Sequence, residues 1–311
     1  MSNQTSVTEF LLLGLADVPE VQILCFTLFS VIYLVALMEN LLIITAVACD
    51  HCLHKPMYFF LANLSTLDLG SISVTLPKSM ANSLMQTRSI SFAGCVAQVF
   101  FLIFFIGAIF FLLTIMAYDR YVAICRPLHY ERVMSRRACV QMATGAWFGG
   151  SLNSALHTGN IFTLTFCRGN TVDQFFCEIP QLLKLTCSEA YLREAHVLIL
   201  SACLGIICFV FIIGSYVQIF KVVLGIPSEQ GWHKAFSTCL PHLMVVSLFA
   251  CTCIFAYLKP TSNATSGLNL VVAVLYSTLP PVLNPIIYSM RNTEMKAALK
   301  RQAGRTFLTK N

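Results

Sequence analysis

The sequence predicts an all-α membrane protein, a seven-transmembrane helix bundle with a short amphipathic C-terminal helix. Of its 311 residues, 57% are hydrophobic and only 11% are charged, which excludes an ordinary soluble domain. A membrane helix needs about 20 apolar residues, and the strands of a membrane barrel need roughly 10 that alternate with polar ones. Seven stretches are long and continuously apolar enough for helices, at 22–48, 57–80, 92–116, 140–164, 196–224, 236–258 and 268–290.

The lysines and arginines of the loops predict how the chain is oriented. Seven spans place the termini on opposite sides, and one side then carries fourteen of the twenty Lys and Arg residues. Because basic loops stay in the cytoplasm, the C-terminus is predicted to be cytoplasmic and the N-terminus extracellular. The predicted regions are an extracellular segment at 1–21, the bundle at 22–291 and a cytoplasmic amphipathic helix and tail at 292–311.

The N-terminal segment shows no cleavable signal peptide, because it lacks a basic start and a small-residue cleavage site. Asn3 begins a glycosylation sequon on the predicted extracellular side. Asn263 begins a second sequon, and the one at Asn63 is discounted because it falls within the second predicted helix.

The second predicted helix carries a carboxylate at mid-membrane depth. Pro56 suits the first turn of that helix, where the missing N–H would be unpaired in any case. Asp68 lies farther along, within the apolar run. An ionisable group at this depth must face the bundle interior and find polar partners, which makes Asp68 a functional candidate.

The third predicted apolar run is closed by Asp119, Arg120 and Tyr121. An Asp–Arg couple at a helix end can exchange partners when neighbouring helices move, although it can also simply mark the membrane boundary. Cys95 lies 25 residues before Arg120, about 37 Å along a helix, so the two residues mark opposite faces of the membrane.

Four of the 14 cysteines fall on the predicted extracellular side: Cys95, Cys167, Cys177 and Cys187. An even number in an oxidising compartment predicts two disulfides, and four cysteines allow three connectivities. A zinc site around Cys49 and Cys52 is a competing interpretation for the cytoplasmic cysteines. It lacks the second pair of ligands that such a site needs.

The seventh predicted helix and the tail carry the last two signals. Pro285 inside the helix frees a carbonyl and permits a kink, and Tyr288 one turn later can move with it. In the tail, Met295 and Leu299 alternate with basic residues, which predicts an amphipathic helix on the anionic inner leaflet.

Taken together, these segments resemble the olfactory receptors, a branch of the rhodopsin-like G-protein-coupled receptors. The most specific match is MAYDRYVAIC at 116–125, followed by PVLNPIIYSMRN at 281–292. Further matches at 53–61, 64–68, 215–216 and 234–239 extend the resemblance over nearly the whole chain. The chain departs from the family pattern at Glu39, Ile109 and Ala250, where glycine, glutamate and tyrosine are usual.

The resemblance implies the disulfides and the moving parts of a receptor. It implies a Cys95–Cys177 disulfide and a Cys167–Cys187 disulfide within the second extracellular loop. It also implies a polar core of Asp68 with Asn40 and Asn284. The implied coupling and switch residues are Asp119, Arg120, Tyr121, Tyr216, Asn284, Pro285 and Tyr288.

The resemblance further implies that an odorant binds between helices three, five, six and seven and favours an arrangement with separated cytoplasmic ends. The expected partners are a small odorant, a stimulatory olfactory G protein that raises cAMP, and membrane lipid; no cofactor or metal is expected. Few polar anchors in an apolar site favour a neutral, volatile ligand over an amine. For any single residue expected to bind the ligand, packing in the helical core is the alternative interpretation. The expected ligand-binding residues are Leu102, Ile103, Ile106, Gly107, Leu200, Leu204, Cys253, Ile254, Tyr257 and Ser277.

Other classes of protein fit the sequence less well. The histidines are scattered, and there is no Gly-rich phosphate loop and no Ser/His/Asp set, so an enzyme is not expected. A transporter is the main alternative from another class, but it would show repeated halves and paired broken helices, and the sequence has no internal repeat. A peptide receptor of another rhodopsin-like branch is distinguished by the cysteine-rich second extracellular loop and by residues 116–125.

Overall fold

A computed structural model shows a bundle of long helices with a small sheet at the predicted extracellular end, opposite the predicted cytoplasmic end. It describes residues 7–13, 18–187, 191–225, 229–257, 266–291 and 293–308. The helices are α1 (Pro19–Cys49), α2 (Pro56–Met85), α3 (Phe92–Cys125), α4 (Tyr130–Val133), α5 (Arg136–Phe162), α6 (Ile179–Lys184), α7 (Tyr191–Leu224), α8 (Glu229–Tyr257), α9 (Ser266–Arg291) and α10 (Thr293–Leu308).

Six of the described helices are long and apolar enough to cross a membrane, namely α1, α2, α3, α7, α8 and α9. The seventh long helix, α5, has 27 residues, enough for about 40 Å, but glycines and small polar residues make it less apolar. These small residues let it approach α3 closely. A Cβ on Gly150 would lie only 2.8 Å from the backbone oxygen of Phe104. The predicted all-α seven-helix bundle is confirmed.

The helix ends have local causes. Pro19 and Pro56 occupy the first turns of α1 and α2. Ser91 caps α3, since its Oγ accepts a hydrogen bond from Gly94 N at 3.1 Å. Helix α3 continues to Cys125, beyond the predicted end at 116, so Asp119 and Arg120 lie inside the helix. Their opposite charges compensate each other there.

A three-stranded extracellular sheet is the part of the fold that the sequence did not predict. Its central strand is β1 (Glu9–Leu12), which pairs antiparallel with β2 (Ser89–Ser91) and parallel with β3 (Thr171–Val172). Phe10 of β1 is fully buried and packs edge-on against Phe166. Strands of two to four residues are too short to show an alternating pattern in the sequence.

Helix α10 is held against the cytoplasmic ends of α1 and α2. Lys55 Nζ lies 2.7 Å from Glu294 Oε1, and Arg301 Nη2 lies 2.5 Å from Asp50 Oδ2. Met295 of α10 is fully buried, as expected for an amphipathic helix that packs on a core. The positive partners hold the pKa of Asp50 and of Glu294 below their usual range.

Candidate functional site

The N-terminal end of α3 is tied to the loop between α5 and α7, the predicted second extracellular loop. The structure contains the disulfides Cys95–Cys177 and Cys167–Cys187. Gln98 adds a second tie. Its Oε1 accepts from the backbone N of Cys177 at 2.7 Å, and its Nε2 donates to the Val74 carbonyl at 2.9 Å. The loop is thereby fixed over the top of α2 and α3.

The same loop also reaches α9. The Tyr276 hydroxyl donates to Glu178 Oε2 and accepts from Gln174 Nε2 at 3.0 Å. Phe176 packs edge-on against the Tyr276 ring. Sequence reasoning missed Glu178 and Tyr276, and the only signal was a carboxylate directly after Cys177.

Part of the predicted ligand-binding set faces the interior below this loop. Leu102 is buried, and Ile106 packs beside it in a cluster that includes Phe176 and Ala273 of α9. Ile103 packs instead with the cluster under the extracellular sheet. Ser277 is buried, and its hydroxyl donates to the Val274 carbonyl of its own helix at 3.1 Å.

The remaining members of the set either have other surroundings in the structure or have side chains outside the described residues. Gly107 faces α5, since a Cβ on it would lie 3.4 Å from the Cα of Gly150. Leu200 and Leu204 are 52% and 41% exposed, so their assignment to the ligand site rests on the sequence. Cys253 is partly buried. The side chains of Ile254 and Tyr257 lie outside the described residues, as does Asn3.

A polar core lies at mid-membrane depth. Asn284 Nδ2 donates to Asp68 Oδ2 at 3.0 Å and to Asp68 Oδ1 at 3.3 Å. Asn40 Nδ2 donates to the Pro281 carbonyl at 2.8 Å. That carbonyl has no helical donor because Pro285, four residues on, lacks an N–H. Asn40 therefore joins α1 to the proline-interrupted part of α9.

The C-terminal end of α3, on the predicted cytoplasmic side, holds a buried ion pair. Arg120 Nη2 lies 2.5 Å from Asp119 Oδ2, and the two residues are 8% and 1% exposed. The Tyr130 hydroxyl of α4 donates to Asp119 Oδ1 at 2.8 Å. Burial and the Asp119 carboxylate raise the pKa of Tyr130 above its ordinary value. The Arg126 guanidinium lies over the Tyr121 ring, with its Cζ atom 5.9 Å from the centre of that ring.

His242 connects three helices close to this ion pair, and sequence reasoning missed it. Its Nε2 lies 3.0 Å from the Leu113 carbonyl of α3, so Nε2 carries a proton. Its Nδ1 lies 2.7 Å from the Tyr216 hydroxyl of α7, which donates to it. Tyr288 is buried nearby, and its hydroxyl has no partner among the described residues. A histidine within the apolar run 236–258 was the available signal.

The cytoplasmic cysteines do not form a metal site within the part of the chain that the structure describes. No group of three His, Cys, Asp or Glu side chains lies close enough to hold an ion there. The His51 and His54 rings face each other edge-on, and Cys49 and Cys52 are exposed.

Comparison of the sequence with known proteins gives one consistent family. A family model described as olfactory receptor matches residues 29–305. Olfactory receptor 14A16 of Homo sapiens is 52% identical over 299 residues, 96% of each chain. Olfactory receptor 14C36 of Homo sapiens is 48% identical over 311 residues, the full length of both chains. Together with its apolar helices, this likeness makes the chain a multi-pass protein of the plasma membrane. It belongs to the olfactory receptor family, whose members are G-protein-coupled receptors and not enzymes.

Proposed function

We propose that this receptor binds small, mostly apolar volatile molecules within its bundle and activates a stimulatory olfactory G protein, which raises cAMP. The observation that carries the proposal is the buried Asp119–Arg120 pair at the cytoplasmic end of α3. An arginine held by its neighbour's carboxylate has a second possible arrangement, in which it faces a partner protein. Such a two-state element is what a signalling receptor needs.

The hydrogen bonds define what must change on activation. Arg120 leaves Asp119, while Tyr216 leaves His242 and Tyr288 moves with the proline-interrupted α9. The released side chains then form the seat for the G protein. The ligand drives this change only if it binds the second arrangement more tightly.

The ligand site proposed for the receptor keeps the full set predicted from the sequence, with Leu102 and Ile106 as its best supported members. Both lie directly under the loop that Cys177 and Gln98 hold in place. The Tyr276 hydroxyl donates to the Glu178 carboxylate of that loop, and the predicted binding set itself contains no carboxylate that could pair with an amine. A neutral ligand remains the expectation.

The proposed orientation places the disulfide end of the bundle outside the cell, with Asn3 glycosylated, and α10 on the inner leaflet. Lys296 and Lys300 are exposed on α10, whereas Met295 and Ala298 are buried against the bundle. The exposed lysines suit anionic lipid headgroups.

A cAMP assay in transfected cells tests the proposal. Cells that express the receptor should respond to members of a panel of neutral volatiles in a dose-dependent way, and mock-transfected cells should not. Surface staining of the same cells separates a silent receptor from one that stays in the secretory pathway. A receptor at the surface that transports a panel member without any cAMP response would favour the transporter alternative.

A further inference from the structure

A small cavity lies at the predicted extracellular end of the bundle, between β1 and the end of α2. Its volume is about 210 Å³, the liquid volume of roughly seven waters at about 30 Å³ each. Sites for drug-sized ligands are larger, about 300–1,000 Å³, so this cavity suits a small molecule. None of the residues expected to bind the odorant is among its described lining residues. The cavity is therefore distinct from the odorant site proposed above.

The end of α2 supplies amide groups that the protein's own hydrogen bonds leave available. Asn82 Oδ1 accepts from the Thr87 hydroxyl at 3.4 Å, so the Asn82 amide keeps two N–H groups on Nδ2 for another acceptor. Neither Asn82 Nδ2 nor the Gln86 amide has a hydrogen-bond partner in the part of the chain that the structure describes. Both residues line the cavity. The polar groups of a small cavity determine which ligand it takes, and these amide donors favour a ligand that accepts hydrogen bonds.

Arg88 gives the cavity a positive charge. It is the only charged residue among the described lining residues. Its carbonyl accepts from Leu12 N of β1 at 2.6 Å, so the sheet fixes its backbone beside the cavity. The exposed guanidinium carries five N–H groups and can bind a ligand while it also bonds within the protein. An arginine beside amide donors, with no carboxylate among these residues, selects an anion and above all a carboxylate.

The cavity also has an apolar part that is firmly held. Phe175 is 2% exposed, and its ring packs against Phe29 of α1 with ring centres 5.8 Å apart. Its carbonyl accepts from Ser79 Oγ of α2 at 3.3 Å. Leu13 follows β1, and its backbone N donates to carbonyls of the loop that carries Phe175. A cavity with a positive, polar part and an apolar part fits an organic anion better than an inorganic one.

The backbone at Gln86 carries strain beside this cavity. Gln86 ends α2 in the left-handed conformation with φ 52°, and among the described residues no other residue except a glycine has a positive φ. Glycine or asparagine is usual at such a helix end, because a larger side chain costs free energy there. Strained residues of this kind occur at ligand sites, where the side chain rather than stability explains them.

We propose that this cavity is a second binding site of the receptor and takes a small organic carboxylate. The carboxylate accepts hydrogen bonds from the Arg88 guanidinium and from Asn82 Nδ2. Its short hydrocarbon chain lies against Leu13 and Phe175, and the Gln86 amide supplies a further donor. A bound carboxylate joins β1, α2 and the loop, so it stabilises the predicted extracellular end of the bundle.

Thermal unfolding of the purified receptor in nanodiscs of zwitterionic lipid tests the proposal. The probes are hexanoate, its neutral counterpart hexanamide, and chloride and acetate, which lack the hydrocarbon chain. The concentration that half-maximally stabilises the receptor measures binding. It should be about fivefold lower for hexanoate than for hexanamide, the effect expected of an ion pair with an exposed arginine. Chloride and acetate should require higher concentrations than hexanoate.

Three variants and one control locate the site. Arg88→Gln should remove the preference for hexanoate over hexanamide, and Asn82→Leu should weaken the binding of hexanoate. Gln86→Gly removes the strained side chain, so it should weaken hexanoate without lowering the unfolding temperature, which keeps the proposal testable if another variant does not fold. Arg168→Gln is the matched control, because Arg168 is an exposed arginine in the same loop as Phe175 and does not line the cavity.

Three outcomes would overturn the inference. They are equal half-maximal concentrations for hexanoate and hexanamide, stabilisation by chloride or acetate at the concentration that hexanoate needs, and unchanged hexanoate binding in Arg88→Gln. The test does not use the cAMP response to neutral volatiles. Its result is therefore independent of the signalling function proposed for the receptor.

Discussion

At the scale of single residues, the most consequential contacts are hydrogen bonds that hold one helix to another. His242 bonds to Leu113 of α3 and to Tyr216 of α7, while its own backbone belongs to α8. Asn40 of α1 likewise joins two helices, because its Nδ2 donates to the Pro281 carbonyl of α9. A hydrogen bond between helices is lost when the helices separate, so these residues resist separation of the helices that they join.

Arg120 should be essential for coupling. Removing it alone would leave a buried Asp119 carboxylate without its counter-ion, at a cost of about 3–5 kcal/mol. We therefore expect Asp119→Asn with Arg120→Ala to reach the surface and to lose the ligand-stimulated cAMP response. Arg137→Ala, an exposed arginine on the same side, is the control and should signal normally. Normal cAMP from the double variant would contradict the coupling role.

His242→Leu should destabilise the receptor more than Tyr216→Phe does. The first change removes two hydrogen bonds and leaves the Tyr216 hydroxyl without its partner, whereas the second removes one. The expected losses are about 2–4 kcal/mol and about 1–2 kcal/mol. Thermal unfolding of the purified variants measures the order, and equal unfolding temperatures would show that the Leu113 bond contributes nothing.

The sequence predicted residues whose role is local or matches a family segment, and it missed those whose role depends on a distant partner. Asp68 stands out because a carboxylate in an apolar run needs partners wherever they are. His242 is an uncharged polar residue among many, and only the packing of α3, α7 and α8 shows what it bonds. Leu200 and Leu204 are the opposite case, residues that the sequence proposed for the ligand site. Helical spacing alone does not determine which face of α7 meets the ligand.

At the scale of elements, α10 is fixed by ion pairs in its first turn, at Glu294, and near its middle, at Arg301. Glu294→Gln should speed amide hydrogen exchange in Thr293–Leu308, because Lys55 and Tyr58 both bond to that carboxylate. Lys55 lowers the pKa of Glu294, so the carboxylate is ionised and the contact is complete at neutral pH. The stability from this contact is lost as the pH falls through that lowered pKa. Glu131→Gln, an exposed acid in α4, should leave exchange in α10 unchanged. Fast exchange in the wild type would mean that the ion pair does not fix the helix.

The two disulfides should differ in what they contribute to folding. Cys95–Cys177 closes a separation of 82 residues and Cys167–Cys187 one of 20, so chain entropy favours the first by about 1 kcal/mol. Cys95→Ser should therefore reduce surface expression more than Cys167→Ser. Flow cytometry of intact cells measures this, and a larger loss for Cys167→Ser would show that the loop's own disulfide dominates.

At the scale of the whole molecule, the distribution of charge orients the bundle. An epitope tag at the N-terminus should stain on intact cells, and a tag at the C-terminus only after permeabilisation. The reason is that most lysines and arginines lie at the end of the bundle that carries α10. Staining of a C-terminal tag on intact cells would contradict this orientation.

The position of β1 at the centre of the extracellular sheet has a consequence for biosynthesis. The strand is translated first, yet its partner β3 follows about 160 residues later. Until the second extracellular loop has entered the lumen, Phe10 and Leu12 lack the neighbours that bury them in the finished protein. The nascent chain therefore displays an apolar N-terminal strand that a luminal chaperone can hold. Burial of Phe10 and Leu12 therefore depends on chain made about 160 residues later, so this end of the bundle is completed only after that loop has folded.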